Sequence, residues 1–114
     1  MIDDSKFMRK YLRRFLEDEG HVVEEWEDLL AEEIPALIQA FAPDLIITDY
    51  MMPGCNGLTV AQKVHETKQG MPVLVITAQR DTGLDEQLRQ FGVAEIMHKP
   101  LQLGELKDAL RLLL

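Results

Sequence analysis

Asp49, the pair Asp3-Asp4, Thr77 and Lys99 are the residues of this chain whose types and positions allow chemistry. Each stands at or just after the end of an apolar run: Asp49 after Leu45-Ile46-Ile47-Thr48, Thr77 after Val73-Leu74-Val75-Ile76, Lys99 shortly after 93–97, and Asp3-Asp4 after Met1-Ile2. Carboxylates gathered in one place repel and raise one another's pKa unless a cation is present. An oxygen-only set favours a hard cation, and Mg²⁺ keeps several of its waters in such partial sites. A lysine adds a fixed positive charge and a threonine a hydroxyl donor, which together suit the three oxygens of a phosphoryl group. Asp49 would then be a nucleophile forming an acyl phosphate. A lone Asp in that position could equally cap the next helix, so the argument rests on the company Asp49 keeps.

For these residues to meet, the apolar runs must be neighbouring strands. Leu45 to Thr48 reads as a strand buried on both faces, and Pro53-Gly54 with Asn56-Gly57 force a loop soon after it. The stretch 71–77 reads as the next buried strand, with Pro72 at its entrance where a missing N–H is tolerable. A short strand is expected at 21–25 and a last one at 93–97. Ser5 is a suitable cap for a helix over Lys6–Asp18 that Gly20 closes. Phe7, Met8, Tyr11, Leu12, Phe15 and Leu16 give that helix a broad core face, leaving Arg9, Lys10, Arg13 and Arg14 to solvent. A second helix is expected near 28–41, with Leu29, Leu30, Ile34, Leu37, Ile38 and Phe41 inward; Pro35 predicts a kink or a late start. Further helices are expected at 58–68, with Val60, Ala61 and Val64 inward, at 81–91, anchored by Leu84, Leu88 and Phe91, and at 101–114. Trp26 is expected to pack at the edge of the second helical segment, with no chemistry. Strands alternating with helices imply a parallel sheet with right-handed crossovers and helices on both faces. In such a sheet the C-terminal strand ends share one edge, where open α/β sheets place their ligands.

Composition sets outer bounds. A chain of 114 residues, 46% hydrophobic and 28% charged, is expected to form a single domain, 1–114, with an ordinary globular core. A formal net charge of −8 disfavours binding to nucleic acid, which needs a basic face. One cysteine, Cys55, excludes an internal disulfide and a cysteine-based zinc site. No apolar run approaches membrane-spanning length and no signal peptide is visible, so a cytoplasmic protein without membrane partners is expected.

Ile2-Asp3-Asp4-Ser5, the stretch from Pro43 to Pro53 with Gly57, Val75-Ile76-Thr77-Ala78 and Lys99-Pro100 together resemble the receiver domain of two-component response regulators, in order and over essentially the whole chain. The resemblance implies a doubly wound α/β fold of flavodoxin type, with five parallel strands in the order 2-1-3-4-5 and a cis peptide at Lys99-Pro100. It implies Asp49 as phospho-acceptor, Mg²⁺ held by Asp4, by Asp3 through water, by Asp49 and by the backbone carbonyl of Met51, and phosphoryl oxygens held by Thr77 and Lys99. A histidine kinase or phosphotransfer protein would be the donor. A downstream protein or effector domain would be contacted through the fourth helix, last strand and final helix, with a homodimer possible. The chemistry implied is self-phosphorylation and its reversal rather than enzymatic turnover.

Three departures from the family pattern stand out. Only Met1 and Ile2 precede the acidic pair, so the first strand, central in the 2-1-3-4-5 order, is shortened or truncated, or its place is filled by a second copy. Ile96 stands where the family carries an aromatic residue three positions before the lysine. Met51 and Gln79 flank the expected path of attacking water, where such positions tune acyl-phosphate lifetime. Two other functions compete: a receiver-like scaffold that binds partners without phosphorylation, and a small Mg²⁺-dependent phosphatase with an aspartate nucleophile, against which Met51 stands in place of a second acid. His98 is expected to be structural or on the surface because alternation turns it away from Lys99, and His65 and His21 to be solvated. The acidic stretch Glu24-Glu25, Glu27-Asp28, Glu32-Glu33 reads as a solvated helix face. Leu110, Leu112, Leu113 and Leu114 exceed what one core face needs, and mark either a cut helix or a partner surface.

Overall fold

A computed structural model describes residues 6–26, 30–50, 56–67, 70–78, 82–99 and 101–114, with residues 6–8 and 82 as backbone only. The expectations for the first strand, Asp3, Asp4, Ser5, Met51, Gln79 and the Lys99-Pro100 peptide lie outside the described residues.

In chain order the elements are α1 (Lys6–Asp18), a 3₁₀ turn (Ala31–Glu33), α2 (Ile34–Phe41), β1 (Ile46–Asp49), α3 (Gly57–Thr67), β2 (Val73–Thr77), α4 (Thr82–Gln90), β3 (Val93–His98) and α5 (Leu103–Leu113). The described strands form a parallel sheet in the order β1-β2-β3, which are the expected third, fourth and fifth strands in their expected sequence. Continuous apolar runs form these strands because both faces are covered. Along β2 the alternation is explicit: Val73 and Val75 pack with Ile34 and Ile38 of α2, Val60, Ala61 and Val64 of α3 and Leu84 and Leu88 of α4. Leu74 and Ile76 pack on the opposite face with Leu12 and Leu16 of α1 and Leu106, Ala109 and Leu110 of α5.

Helix ends follow local chemistry. Gly20 (φ 93) closes α1: its N–H donates to Glu17 O at 3.0 Å and the His21 N–H reaches back to Leu16 O at 3.0 Å, the paired bonds of a Schellman motif. Pro35 gives the late start, since α2 begins at Ile34 with proline in its first positions, where no N–H is needed. Ala42 ends α2 in the left-handed region (φ 53), and Pro43 follows, which cannot continue a helix.

Several expectations are corrected. Residues 21–25 form no strand; only Trp26 makes an isolated bridge. A strand exists through its neighbour, and the one expected there is the first strand, outside the described residues. A cavity of about 490 Å³ lies beside β1, between it and that stretch, lined by Val22, Val23, Trp26, Phe41, Ile46 and Ile47 among others. Tyr11 is exposed rather than core, so the inward face of α1 is narrower than its apolar letters suggested. Phe91 lies beyond the end of α4 and is 38% exposed, leaving Leu84 and Leu88 as that helix's buried anchors. Arg9 is buried, not solvated: its Nε lies 3.4 Å from Glu25 Oε1, while Arg13 Nη1 donates to Glu25 Oε2 at 2.9 Å. The acidic stretch is therefore not all solvent-facing, because Glu25 turns inward to meet α1. Trp26 is buried in the core, with its Nε1–H donating to Glu24 Oε1 at 2.8 Å.

The hydrogen bond from Arg13, with the charges of Arg13 and Arg9, holds the Glu25 carboxyl below its ordinary value of 4.5, against a smaller opposing effect of burial. A depressed carboxyl pKa contributes stability above the unfolded value that is lost as pH falls through the folded one. Glu25→Gln should therefore destabilise the fold at pH 7 by about 1 kcal/mol or less. The deficit should shrink as the pH falls below 4.5 and vanish once it has passed the lower folded value, where the wild-type side chain is neutral too. Paired denaturant melts at pH 7 and at a series of acidic pH values check both the size and the sign.

Candidate functional site

The parallel ladder sets Asp49 opposite Ile76, and Thr77 opposite His98. The last residues of β1 and β2 and the residue after β3 thus emerge at the same end of the sheet. Asp49 ends β1 with its side chain 9% exposed. Thr77 ends β2 and is fully buried. Lys99 leaves β3 with its backbone N–H donating to Thr77 O at 2.8 Å, and its ammonium Nζ lies 3.2 Å from Asp49 Oδ2. Residues fifty apart in sequence thus share a charge-assisted hydrogen bond, and the intervening strand ends in Thr77. A buried carboxylate needs such a partner, because desolvation costs several kcal/mol per ion without one.

The backbone around Asp49 is fixed by two further bonds. The Tyr50 N–H donates to Ile76 O at 2.9 Å, prolonging the ladder one step past the strand. The Gly57 N–H donates to Tyr50 O at 2.8 Å, which ties the start of α3 to the end of β1. Asn56 then caps α3, its Oδ1 accepting from the Thr59 N–H at 2.9 Å and from Thr59 Oγ1 at 3.1 Å. Of the turn signal read there, Pro53-Gly54 lie outside the described residues.

Of the expected site, the structure brings together Asp49, Thr77 and Lys99, while Asp3, Asp4 and the Met51 carbonyl lie outside the described residues. Among the described residues no group of three or more His, Cys, Asp or Glu side chains could hold a metal ion. Asp49 contributes one hard, anionic oxygen donor group to the cation site expected there, which fits Mg²⁺ in kind. His65 is exposed and His21 half-buried, with no part in the site. Sequence reasoning overlooked Asp85: in the first turn of α4, its Oδ2 lies 3.4 Å from His98 Nε2. The available signal was an acid in the first helical turn after the Thr77 loop, together with a histidine directly before Lys99.

Comparison with known proteins gives a consistent result. The family model described as "Response regulator receiver domain" matches residues 1–111. Response regulator MprA of Mycolicibacterium vanbaalenii is 35% identical over 119 aligned residues, which cover 100% of this chain and 48% of that protein. Response regulator MprA of Mycobacterium ulcerans is 34% identical, with coverage of 100% and 48%. The chain thus spans about half the length of these relatives. Among solved structures, the signal receiver domain of the putative response regulator NarL from Mycobacterium tuberculosis superposes with a TM-score of 0.83 at 31% identity, covering 98% of this chain and 91% of that one. The chemotaxis protein CheY4 of Vibrio cholerae superposes with a TM-score of 0.85 at 25% identity, covering 99% and 94%. A CheX-CheY-BeF3-Mg²⁺ complex from Borrelia burgdorferi matches with a TM-score of 0.85 at 23% identity, covering 96% and 82%, a likeness of fold.

Gly57 sits tightly against the chain at Asp49 and Tyr50. A Cβ there would lie 3.0 Å from Tyr50 Cα and 3.3 Å from Asp49 O, both backbone atoms that cannot rotate away. Gly57→Ala should cost about 1–3 kcal/mol by overpacking and displace the chain just after Asp49. Gly104→Ala, where nothing lies within 4 Å in α5, should instead stabilise by up to about 1 kcal/mol. Thermal melts of the two variants, expected to move in opposite directions, check the assignment.

Proposed function

We propose that this chain, which belongs to the response regulator receiver domain family, accepts a phosphoryl group on Asp49 and signals by the change in structure that follows. The observation that carries this reading is the 3.2 Å contact between Lys99 Nζ and the buried Asp49 carboxylate, beside the buried Thr77. The family is one of signalling domains rather than enzymes of turnover. Within it, we read residues 1–114 as one receiver unit acting in the cytoplasm; no helix among the described residues is long and apolar enough to cross a membrane.

In the transfer step an Asp49 oxygen bonds to phosphorus while the phosphorus–nitrogen bond of a phosphohistidine donor breaks. The electron pair of that bond returns to the donor imidazole. Lys99 is already beside the reacting carboxylate, so it can follow the charge onto the phosphoryl oxygens without a large rearrangement. Thr77 lies one strand away, with its backbone carbonyl tied to Lys99, and its hydroxyl is the second donor for those oxygens. Asp3, Asp4, Asp49 and the Met51 carbonyl would hold Mg²⁺, which neutralises charge on the transferring group. The product adds about 1.5 to 2 negative charges next to Lys99 and the Thr77 loop, the elements positioned to respond. The kinase, the partner contacted through α4, β3 and α5, and any second copy belong to this proposal.

The test is intact mass after incubation with acetyl phosphate and Mg²⁺. Wild type should gain one phosphoryl group, Asp49→Asn none, and chelation of Mg²⁺ should abolish the gain. Lys99→Ala should still fold but react on the order of 100-fold more slowly, the effect of losing one electrostatic donor. Equal gain by wild type and Asp49→Asn would overturn the assignment. Partner binding unchanged in Asp49→Ala would favour the scaffold reading instead.

A further inference from the structure

His98 closes β3 and occupies the ladder position opposite Thr77. Its Nε2 lies 3.4 Å from Asp85 Oδ2 in the first turn of α4, and each side chain is 25% exposed. Among the described residues, neither His98 Nε2 nor Asp85 Oδ1 has a hydrogen-bond partner, although both atoms are buried. A neutral imidazole keeps one N–H; with that proton on Nδ1, Nε2 meets the carboxylate as acceptor to acceptor, at atoms that solvent does not reach. An added proton turns that nitrogen into a donor and the contact into a charge-assisted one. The arrangement therefore has two states, and the 3.4 Å separation is longer than a formed ionic hydrogen bond.

The contact closes a circuit that contains the site. From Thr77 the chain runs to α4, crosses from Asp85 to His98, and returns to Thr77 across the ladder, with the Lys99 N–H on Thr77 O as the adjoining bond. Whatever separates Asp85 from His98 loosens the start of α4 from the strand end carrying Lys99. The other charged groups around the imidazole come from each neighbouring element. From α5, Glu105 and Asp108 share with it a groove of about 510 Å³. From β3, Glu95 lines the same groove and faces Arg89 of α4 at 3.9 Å, while Lys99 is engaged with Asp49.

We propose that Asp85 and His98 form a positioning pair for the phosphoryl site, a latch that a proton on His98 closes. Closed, it draws the first turn of α4 onto the strand end beside Thr77 and Lys99 and slows phosphorylation; open, as at the 3.4 Å separation here, it leaves these elements free to adapt. The effect on phosphorylation rests on Asp49 being the acceptor.

The experiment compares wild type, Asp85→Asn and His98→Gln from pH 5.5 to 8, the range in which imidazole ordinarily titrates. The initial rate of phosphorylation by acetyl phosphate with Mg²⁺ is expressed as the ratio of variant to wild type, which cancels the donor's own titration. The ratio should be close to one at pH 8 and rise to about fivefold at pH 5.5, the lower end of ordinary coupling between sites. The double variant should gain nothing beyond either single one. A ratio that does not change with pH, whatever its size, would show a merely structural role and overturn the latch. Backbone amide NMR in the absence of donor decides the matter separately. The Thr77, Gly83 and Lys99 resonances should move together over this pH range in wild type and in Asp49→Asn, and stay still in His98→Gln. Movement confined to His98 itself would overturn the latch even if the variants fold poorly. Failure of wild type to gain phosphate at pH 8 would instead remove the acceptor reading, with the amide test still decisive for the latch.

Discussion

The ion pair between Asp49 and Lys99 sets a demanding condition on the rest of the fold. Asp49 has only 9% of its side chain exposed, so protein groups must replace most of the water its charge has lost. The ammonium that does so arrives from fifty residues away and can stay at 3.2 Å only if β3 keeps its register on β2 and β2 its register on β1. That register is enforced by burial on both faces. A slip of one residue along β2 would exchange Val73 and Val75 with Leu74 and Ile76, and misfit two packed layers together. The position of the ammonium is thereby fixed by the shapes of aliphatic side chains well away from it.

Such an arrangement explains which parts were legible in the sequence. The strands ending in Asp49 and Thr77 could be read because continuous apolar runs have few other uses, and the turn signals between Pro53 and Gly57 confirmed where the first must end. Parallel alternation with helices then placed Asp49, Thr77 and Lys99 together without any knowledge of distances. Helix starts were less visible, because Pro35 allowed either a kink or a late beginning and only packing selected the latter. Arg9 shows a limit of reading faces by residue type. Periodicity assigned it to the polar side of α1, yet its guanidinium is buried against Glu25, a residue outside the helix whose inward turn leaves no periodic trace. The segment 21–25 shows another limit, since whether an extended stretch becomes a strand depends on its neighbour rather than its own residues.

His98 combined a correct inference with an omission. Alternation did turn it away from Lys99, onto the face shared with α4. What no local pattern could reveal was that Asp85, thirteen positions earlier, would be rotated toward it, because that depends on how Leu84 and Leu88 seat the helix. Side-chain chemistry at element ends was thus readable, whereas pairing between a strand end and a neighbouring helix required packing.

That packing also determines where a new charge would act. Among the described side chains, α3 is fastened by Val60, Ala61 and Val64, and α5 by Leu106, Ala109 and Leu110, whereas α4, like α2 with Ile34 and Ile38, has two buried aliphatic anchors, Leu84 and Leu88, and Phe91 beyond its end is turned partly to solvent. Burying an aliphatic side chain is worth roughly 1.5–3 kcal/mol, so two anchors hold a nine-residue helix by only a few kcal/mol before the entropy of ordering it is counted. Couplings between sites in proteins typically amount to about 1–3 kcal/mol. A group added beside Thr77 therefore meets, in α4, an element whose attachment is of the same size as the perturbation. The interior of the sheet, buried on both faces by larger sets of side chains, is held too firmly to move with it. This lightly anchored helix is also the next element after Thr77 in the chain, so sensitivity and proximity coincide on it.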